Sequence, residues 1–115
     1  MNNTQGTVFH LNEADPQKHA SVLRNVRHLI KELDDDSPVE LVTHGPGIAA
    51  VQIGAEATGD IEDAIERGVI IAACENTMAA QSLTHADLIN GVRTVPSGIA
   101  EIVRKQREGW SYAKP

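Results

Sequence analysis

Six consecutive residues, Val69-Ile70-Ile71-Ala72-Ala73-Cys74, carry no polar side chain and are too few for a buried helix. Such a run, held between Gly68 and Glu75, reads as a strand covered on both faces, which marks an interior position in a parallel sheet. Parallel strands need long crossover connections, commonly helices. The rest of the chain supplies them. Residues 7–12 read as a first strand. Asp15 then caps a helix with Pro16 at its first position. Val22, Leu23, Val26, Leu29, Ile30 and Leu33 recur at helical spacing until residues 34–38 stop the helix, because Pro38 disfavours a helical Ser37.

Residues 39–44 alternate as a second strand that Gly45-Pro46-Gly47 breaks. Residues 48–57 read as a short helix. A clearer helix follows, with Asp60 as cap, Ile61, Ala64 and Ile65 on one face, and Gly68 in the left-handed position past its end. After Cys74 comes a short helix over residues 76–81. Thr84 and Asp87 stand in capping-box spacing before a turn that Gly91 ends. Residues 92–95 form a fourth strand. Residues 96–109 form a last helix with Ile99, Ile102, Val103 and Gln106 on one face, and residues 110–113 a short fifth strand at an edge. Strands alternating with helices predict an α/β fold, a three-layer α/β/α sandwich on a mostly parallel sheet of about five strands. We expect one domain over residues 1–115, with 1–6 a flexible terminus. The strand order does not follow from these signals.

Composition removes several functions. Aromatic residues are 3% of the 115, so the core is aliphatic, and the net charge of −6 argues against a nucleic-acid partner. Arg104, Lys105 and Arg107 cluster near the end of the last helix, where they complement its dipole. No apolar run approaches the ~20 residues of a membrane helix, so no membrane partner is expected. The amino terminus lacks the charged and apolar regions of a secretory signal, and the expected location is cytoplasmic. One cysteine allows neither an intrachain disulfide nor a Cys/His metal motif. No metal and no cofactor are expected.

In an open parallel sheet the loops after the strands form the binding crevice. Those loops here hold Asn12-Glu13, His44-Gly45-Pro46-Gly47, Cys74-Glu75-Asn76 and Pro96-Ser97-Gly98. Cys74 also precedes a helix, whose first amides favour a thiolate. A free cysteine is equally at home as a small core residue, and spacing alone leaves the two readings balanced. Asn76 and Thr77 can line a site or merely cap the helix, and Ser97 is more simply an N-cap than a nucleophile. Residues 45–50 fit GxGxxA loosely, though a plain strand-to-helix turn explains them better. Of five histidines only His44, at a strand end, belongs near Cys74; His19 and His28 fall on the first helix, on its solvated side.

The segments GVIIAACENTM (68–78) and LINGVRTVPSGIAEIVRKQREGWSYAKP (88–115), with HGPGI (44–48) between the first two helices, together resemble the DsrE/DsrF-like family of small intracellular sulfur-relay proteins. The resemblance implies a parallel α/β/α fold, assembly into homotrimers or homohexamers, and a cytoplasmic role. It places Cys74 at the family's cysteine, which carries sulfur as a persulfide from a donor to an acceptor protein. A carried sulfur anion needs donors, and the strand ends offer few: His44, Asn76, Thr77, Ser97 and Gly98. These should form a small anion-friendly niche without metal. The alternatives are a ligand-binding module in which His44–Gly47 holds a phosphate or nucleotide and Cys74 is structural, and an oligomeric scaffold without chemistry. The only Trp and Tyr, Trp110 and Tyr112, lie in the short edge strand, as interface residues often do.

Overall fold

The computed structural model describes residues 5–115. Strands β1 (Thr7–Leu11), β2 (Val39–Thr43), β3 (Ile70–Cys74), β4 (Arg93–Val95) and β5 (Ser111–Ala113) form one sheet in the order β4-β3-β2-β1-β5. Every pairing in it is parallel. The helices are α1 (Pro16–Leu33), α2 (Thr58–Glu66), α3 (Glu75–Ala80) and α4 (Gly98–Arg107), with 3-10 stretches at Gly45–Val51 and His85–Asp87. The first three crossovers each step to the next strand in one direction. The fourth runs back across the whole sheet to the far edge.

Crossovers of one hand put a reversed connection on the opposite face of the sheet. The core divides accordingly. Phe9, Leu11, Leu41, Ile71 and Ala73 pack with Val22, Leu23 and Val26 of α1, Ile61 and Ala64 of α2, and Met78 of α3. The alternate strand residues Val8, Val42 and Ala72 pack with Ile102 of α4 and with Trp110. The architecture is the expected three-layer α/β/α sandwich, and its sheet is wholly parallel.

Local chemistry explains the element ends. The Asp15 carboxylate accepts from the Gln17 amide at 2.9 Å, and Pro16 costs no hydrogen bond at the first turn. α1 stops at Asp34, in the left-handed region at φ 46, four residues ahead of Pro38. Gly68 lies at φ 88 past α2, the left-handed position its lack of Cβ permits. Thr84 and Asp87 form the reciprocal capping box, although only one 3-10 turn follows it.

Five expectations require correction. Asp60 does not cap α2: the helix begins at Thr58, and Asp60 faces Arg27 of α1 at 3.6 Å. The helix expected over 48–57 is a 3-10 stretch that already begins at Gly45, because Pro46 suits a first turn. His19 is buried, and its Nε2 donates to the Glu13 carbonyl, folding the β1–α1 loop against the helix. Of the apolar face expected on α4 only Ile102 is buried, while Ile99 and Val103 are 52% and 39% exposed, because α4 presents one narrow side to the sheet. Trp110 precedes β5 instead of lying in it, and it is buried within its own domain. Gly109 at φ 94 turns the chain so that the indole packs on its own sheet beneath the Lys105 ammonium, 4.5 Å from the ring centroid.

Residues 1–4 of the expected flexible terminus lie outside the described residues. Gly6 is buried, its carbonyl accepts from the Ser111 amide at 2.9 Å, and a Cβ there would stand 2.1 Å from the Pro38 oxygen.

Candidate functional site around Cys74

β3 ends at Cys74, and α3 begins at the next residue, so Cys74 is both the last strand residue and the helix N-cap. Alternation directs its side chain to the α4 face. The reversed crossover has carried the first turn of α4 over the ends of β2 and β3. A Cβ at Gly98 would lie 3.2 Å from the His44 Cβ, 3.2 Å from a Val42 methyl and 3.3 Å from the Cys74 Cβ. Any larger residue would push α4 off the thiol. Two helix starts therefore converge on one sulfur.

The electrostatics follow. Burial raises the thiol's pKa, since Cys74 is 5% exposed and a thiolate is poorly solvated there. Hydrogen bonds from the Gly98 amide, the Thr77 amide, the Thr77 hydroxyl and the Asn76 amide outweigh it, and the net shift is downward. The Thr77 hydroxyl accepts from the Gly45 amide at 2.8 Å, which leaves its own proton for the sulfur. The thiol thus stands among donors that favour its thiolate form.

The sequence-derived residues take different places. Thr77 contributes amide and hydroxyl, while Asn76 and Gly98 contribute backbone only. The Ser97 hydroxyl accepts from the Ala100 amide at 3.2 Å and caps α4, so it is not among the sulfur's partners. His44 adjoins the site across Gly98, but its ring bonds elsewhere. Its Nε2 meets the Nε2 of His10, the two rings stacking at 4.6 Å and 16°. His10 Nδ1 in turn meets the Tyr112 hydroxyl at 2.8 Å. Burial, then the neighbouring His44 and Lys114, lower the pKa of His10 against a smaller pull from Glu13; burial, then Lys114, lower that of His44. Sequence reasoning missed His10 and Tyr112. A readable signal existed for one: His10 is an ionisable residue inside a largely apolar, buried strand, next to its carboxyl end.

A second polar group lies deeper on the same face. Glu40 of β2 is 2% exposed, and its pKa is raised to about 8, first by burial and then by a hydrogen bond with Glu101 of α4 and that residue's charge. Lys105 and Arg93 oppose the shift, but Lys105 stands 4.0 Å away, beyond hydrogen-bond reach. Glu40 is protonated near neutrality and shares its proton with Glu101.

The 44–47 loop has no amides to offer a phosphate. The Gly45 amide is held by Thr77, the Gly47 amide by the His44 carbonyl at 3.0 Å, and Pro46 has none. A Cβ at Gly47 would meet the Leu11 oxygen at 2.2 Å, so that glycine serves close packing of backbone. A cavity of about 420 Å³ opens at the amino ends of β2 and β3, between Leu29, Leu33, Pro38 and Val69, and contains none of the residues around Cys74. Among the described residues no three His, Cys, Asp or Glu side chains are grouped to hold a metal ion, and no helix is long and apolar enough to cross a membrane.

Among known proteins, no family model matches the chain, and no curated protein matches its sequence. Solved structures do match. The ychN protein from E. coli superposes with a TM-score of 0.82 at 16% identity, covering 97% of this chain and all 100% of its own. The conserved protein of unknown function BT1422 from Bacteroides thetaiotaomicron does so with a TM-score of 0.71 at 14% identity, over 95% of this chain and 94% of its own. Both likenesses concern the fold. The protein of unknown function MTH1491 from Methanobacterium thermoautotrophicum matches with a TM-score of 0.92 at 35% identity, over 96% of this chain and 99% of its own. With more than a third of its residues identical along nearly the whole of both chains, this protein belongs to the same family as MTH1491.

Proposed function

We propose that this protein is a DsrE/DsrF-like sulfur carrier, accepting sulfur as a persulfide on Cys74 and passing it to a partner protein. The observation that carries the reading is the convergence of two helix starts on the Cys74 sulfur, with four donors and a lowered pKa in a nearly closed niche. A thiolate so held is nucleophilic, and the same donors can receive the outer sulfur anion after transfer. No cofactor is required, because the donors belong to the backbone and to Thr77. A chain with one cysteine also cannot discharge its persulfide into an internal disulfide.

The carrier works as a homotrimer or homohexamer in the cytoplasm. Ile99 and Val103, one turn apart and exposed on α4, support a subunit contact there. The phosphate-binding alternative loses its support with the amides of the 44–47 loop. The test is to incubate the protein with a persulfide donor and weigh it. We expect the mass of one sulfur to be added, removable by reductant and absent in Cys74→Ser. A thiol that gains no sulfur and resists labelling until the chain unfolds would sink the proposal.

A further inference from the structure

The carrier chemistry as stated leaves His10, His44 and Tyr112 without a task. Three elements bring them together on the α4 face: β1 presents His10, the end of β2 presents His44, and β5, paired with Tyr112 opposite Val8, presents the phenol. Their two hydrogen bonds impose a rule on protons. An Nε2–Nε2 bond holds a single proton, so two neutral imidazoles in it must be unlike tautomers. If His10 carries its proton on Nε2, its Nδ1 accepts from the Tyr112 hydroxyl, and His44 carries a proton on Nδ1. If instead His44 carries its proton on Nε2, its Nδ1 is bare, and His10 Nδ1–H donates to the Tyr112 oxygen. The two arrangements differ by one proton shifted along each bond, one lost from His44 Nδ1 and one gained by the phenol from solvent. One end of the chain, Tyr112, is 42% exposed to solvent. The other end, His44, shares with Cys74 the space over Gly98, and its Nδ1 has no hydrogen-bond partner among the described residues.

We propose that Tyr112, His10 and His44 form a proton relay that protonates the thiolate released when Cys74 accepts sulfur; the inference rests on the carrier reading above. The Cys74 thiolate attacks the outer sulfur of a donor persulfide, R–S–SH. A sulfur–sulfur bond to Cys74 forms as the donor's own breaks, and the electron pair departs on R–S⁻. That thiolate takes the proton of His44 Nδ1. His44 regains one at Nε2 from His10, His10 regains one at Nδ1 from Tyr112, and solvent restores the phenol. No atom is oxidised or reduced overall. Delivery to an acceptor thiol runs the same chain backwards. His44 touches the leaving group, whereas His10 and Tyr112 are positioning residues that resupply it. The relay requires both imidazoles neutral. The groups facing the pair are Lys114, which opposes their protonation, Glu13, which favours that of His10 weakly, and Tyr112, while burial keeps both low.

The relay is tested on the full chain with two probes of the same thiol. Iodoacetamide releases iodide, which needs no proton. Hydroxyethyl disulfide releases a thiolate of ordinary basicity, whose departure is the slower for want of an acid. We expect Tyr112→Phe and His10→Gln each to lower the ratio of disulfide rate to alkylation rate about tenfold, a modest share of what general acid catalysis commonly supplies. Both variants should also flatten the pH profile of the disulfide reaction, which a packing defect alone would not do. An unchanged ratio in both variants overturns the relay. Nitrogen NMR of the wild-type histidines provides a measurement that does not depend on variants folding: unlike tautomers at neutral pH support the relay, and like tautomers or two cations overturn it. Variants that lower the ratio, beside a wild-type protein that never gains sulfur from a persulfide, would sink the carrier reading and leave the relay. A wild-type protein that gains sulfur, beside variants with the ratio unchanged, would do the reverse.

Discussion

The two faces of the sheet are made from alternate residues of the same strands, yet they differ in kind. Among the described residues, twenty buried apolar side chains form one cluster on the side of α1 and α2, while five do so on the side of α4. The α4 face instead buries Glu40 and His10 and points Cys74 toward the start of α4. The larger face has the area to hold the fold together. The smaller one is thin enough to admit polar groups, each of which must then find a partner within it. Stability and chemistry are thus separated by the pleat of the strands.

The comparison can be broken most forcibly from the apolar side. Leu41 is fully buried there, and Leu41→Ala should cost about 3 kcal/mol in denaturant unfolding. The pH dependence of Cys74 alkylation should not change, because Leu41 and the thiol are on opposite faces. A shifted profile would mean that the faces are coupled after all.

Glu40→Gln probes the other face. Glu40 holds its proton more tightly folded than unfolded, so its contribution is complete below about 4.5 and is lost as pH rises toward about 8. Glutamine cannot ionise and can still donate to Glu101. Stability of the variant should therefore fall less between those limits, and above them it should exceed wild type by on the order of 2 kcal/mol. Parallel stability curves for the two proteins would refute a buried, protonated Glu40.

Thr77→Val removes a donor from the sulfur and the acceptor of the Gly45 amide together. Alkylation of Cys74 should begin at higher pH, and an unpaired amide should cost about 1–2 kcal/mol. The smallest expected loss is from Gly98→Ala. Its methyl would meet His44, Val42 and Cys74 at 3.2–3.3 Å, so α4 must ride outward by a few tenths of an ångström. We expect about 1 kcal/mol of destabilisation, with a thiol slower to ionise because the Gly98 amide has receded. A Gly98→Ala protein whose thiol behaves as wild type would show that this amide does not set the pKa.

Much of this arrangement was readable from the residues. The run Val69–Cys74 identified an interior strand, and the Asp15-Pro16 cap, Gly68 and the Thr84–Asp87 box marked ends that local hydrogen bonds dictate. Cys74 was legible as a residue of the sheet's carboxyl edge for the same local reason, since a strand end and a helix start follow from periodicity. The outward side of α4 was misread, because helical spacing shows that Ile99, Ile102 and Val103 recur but not that only one narrow side will be covered.

What the sequence by itself determined is therefore the kind of elements, their order along the chain, and that its one cysteine ends a strand where a helix begins. These depend on interactions within a few residues of one another. Only the tertiary structure decided the strand order β4-β3-β2-β1-β5, and with it the reversal that brings the Gly98 amide to Cys74 and leaves His10, His44 and Tyr112 in one chain. His10 and Tyr112 are 102 positions apart in the sequence. No local preference in either segment specifies the other. They meet because β5 returns to the free edge of β1, the one place where the last crossover can pair a strand and cover the second face of the sheet.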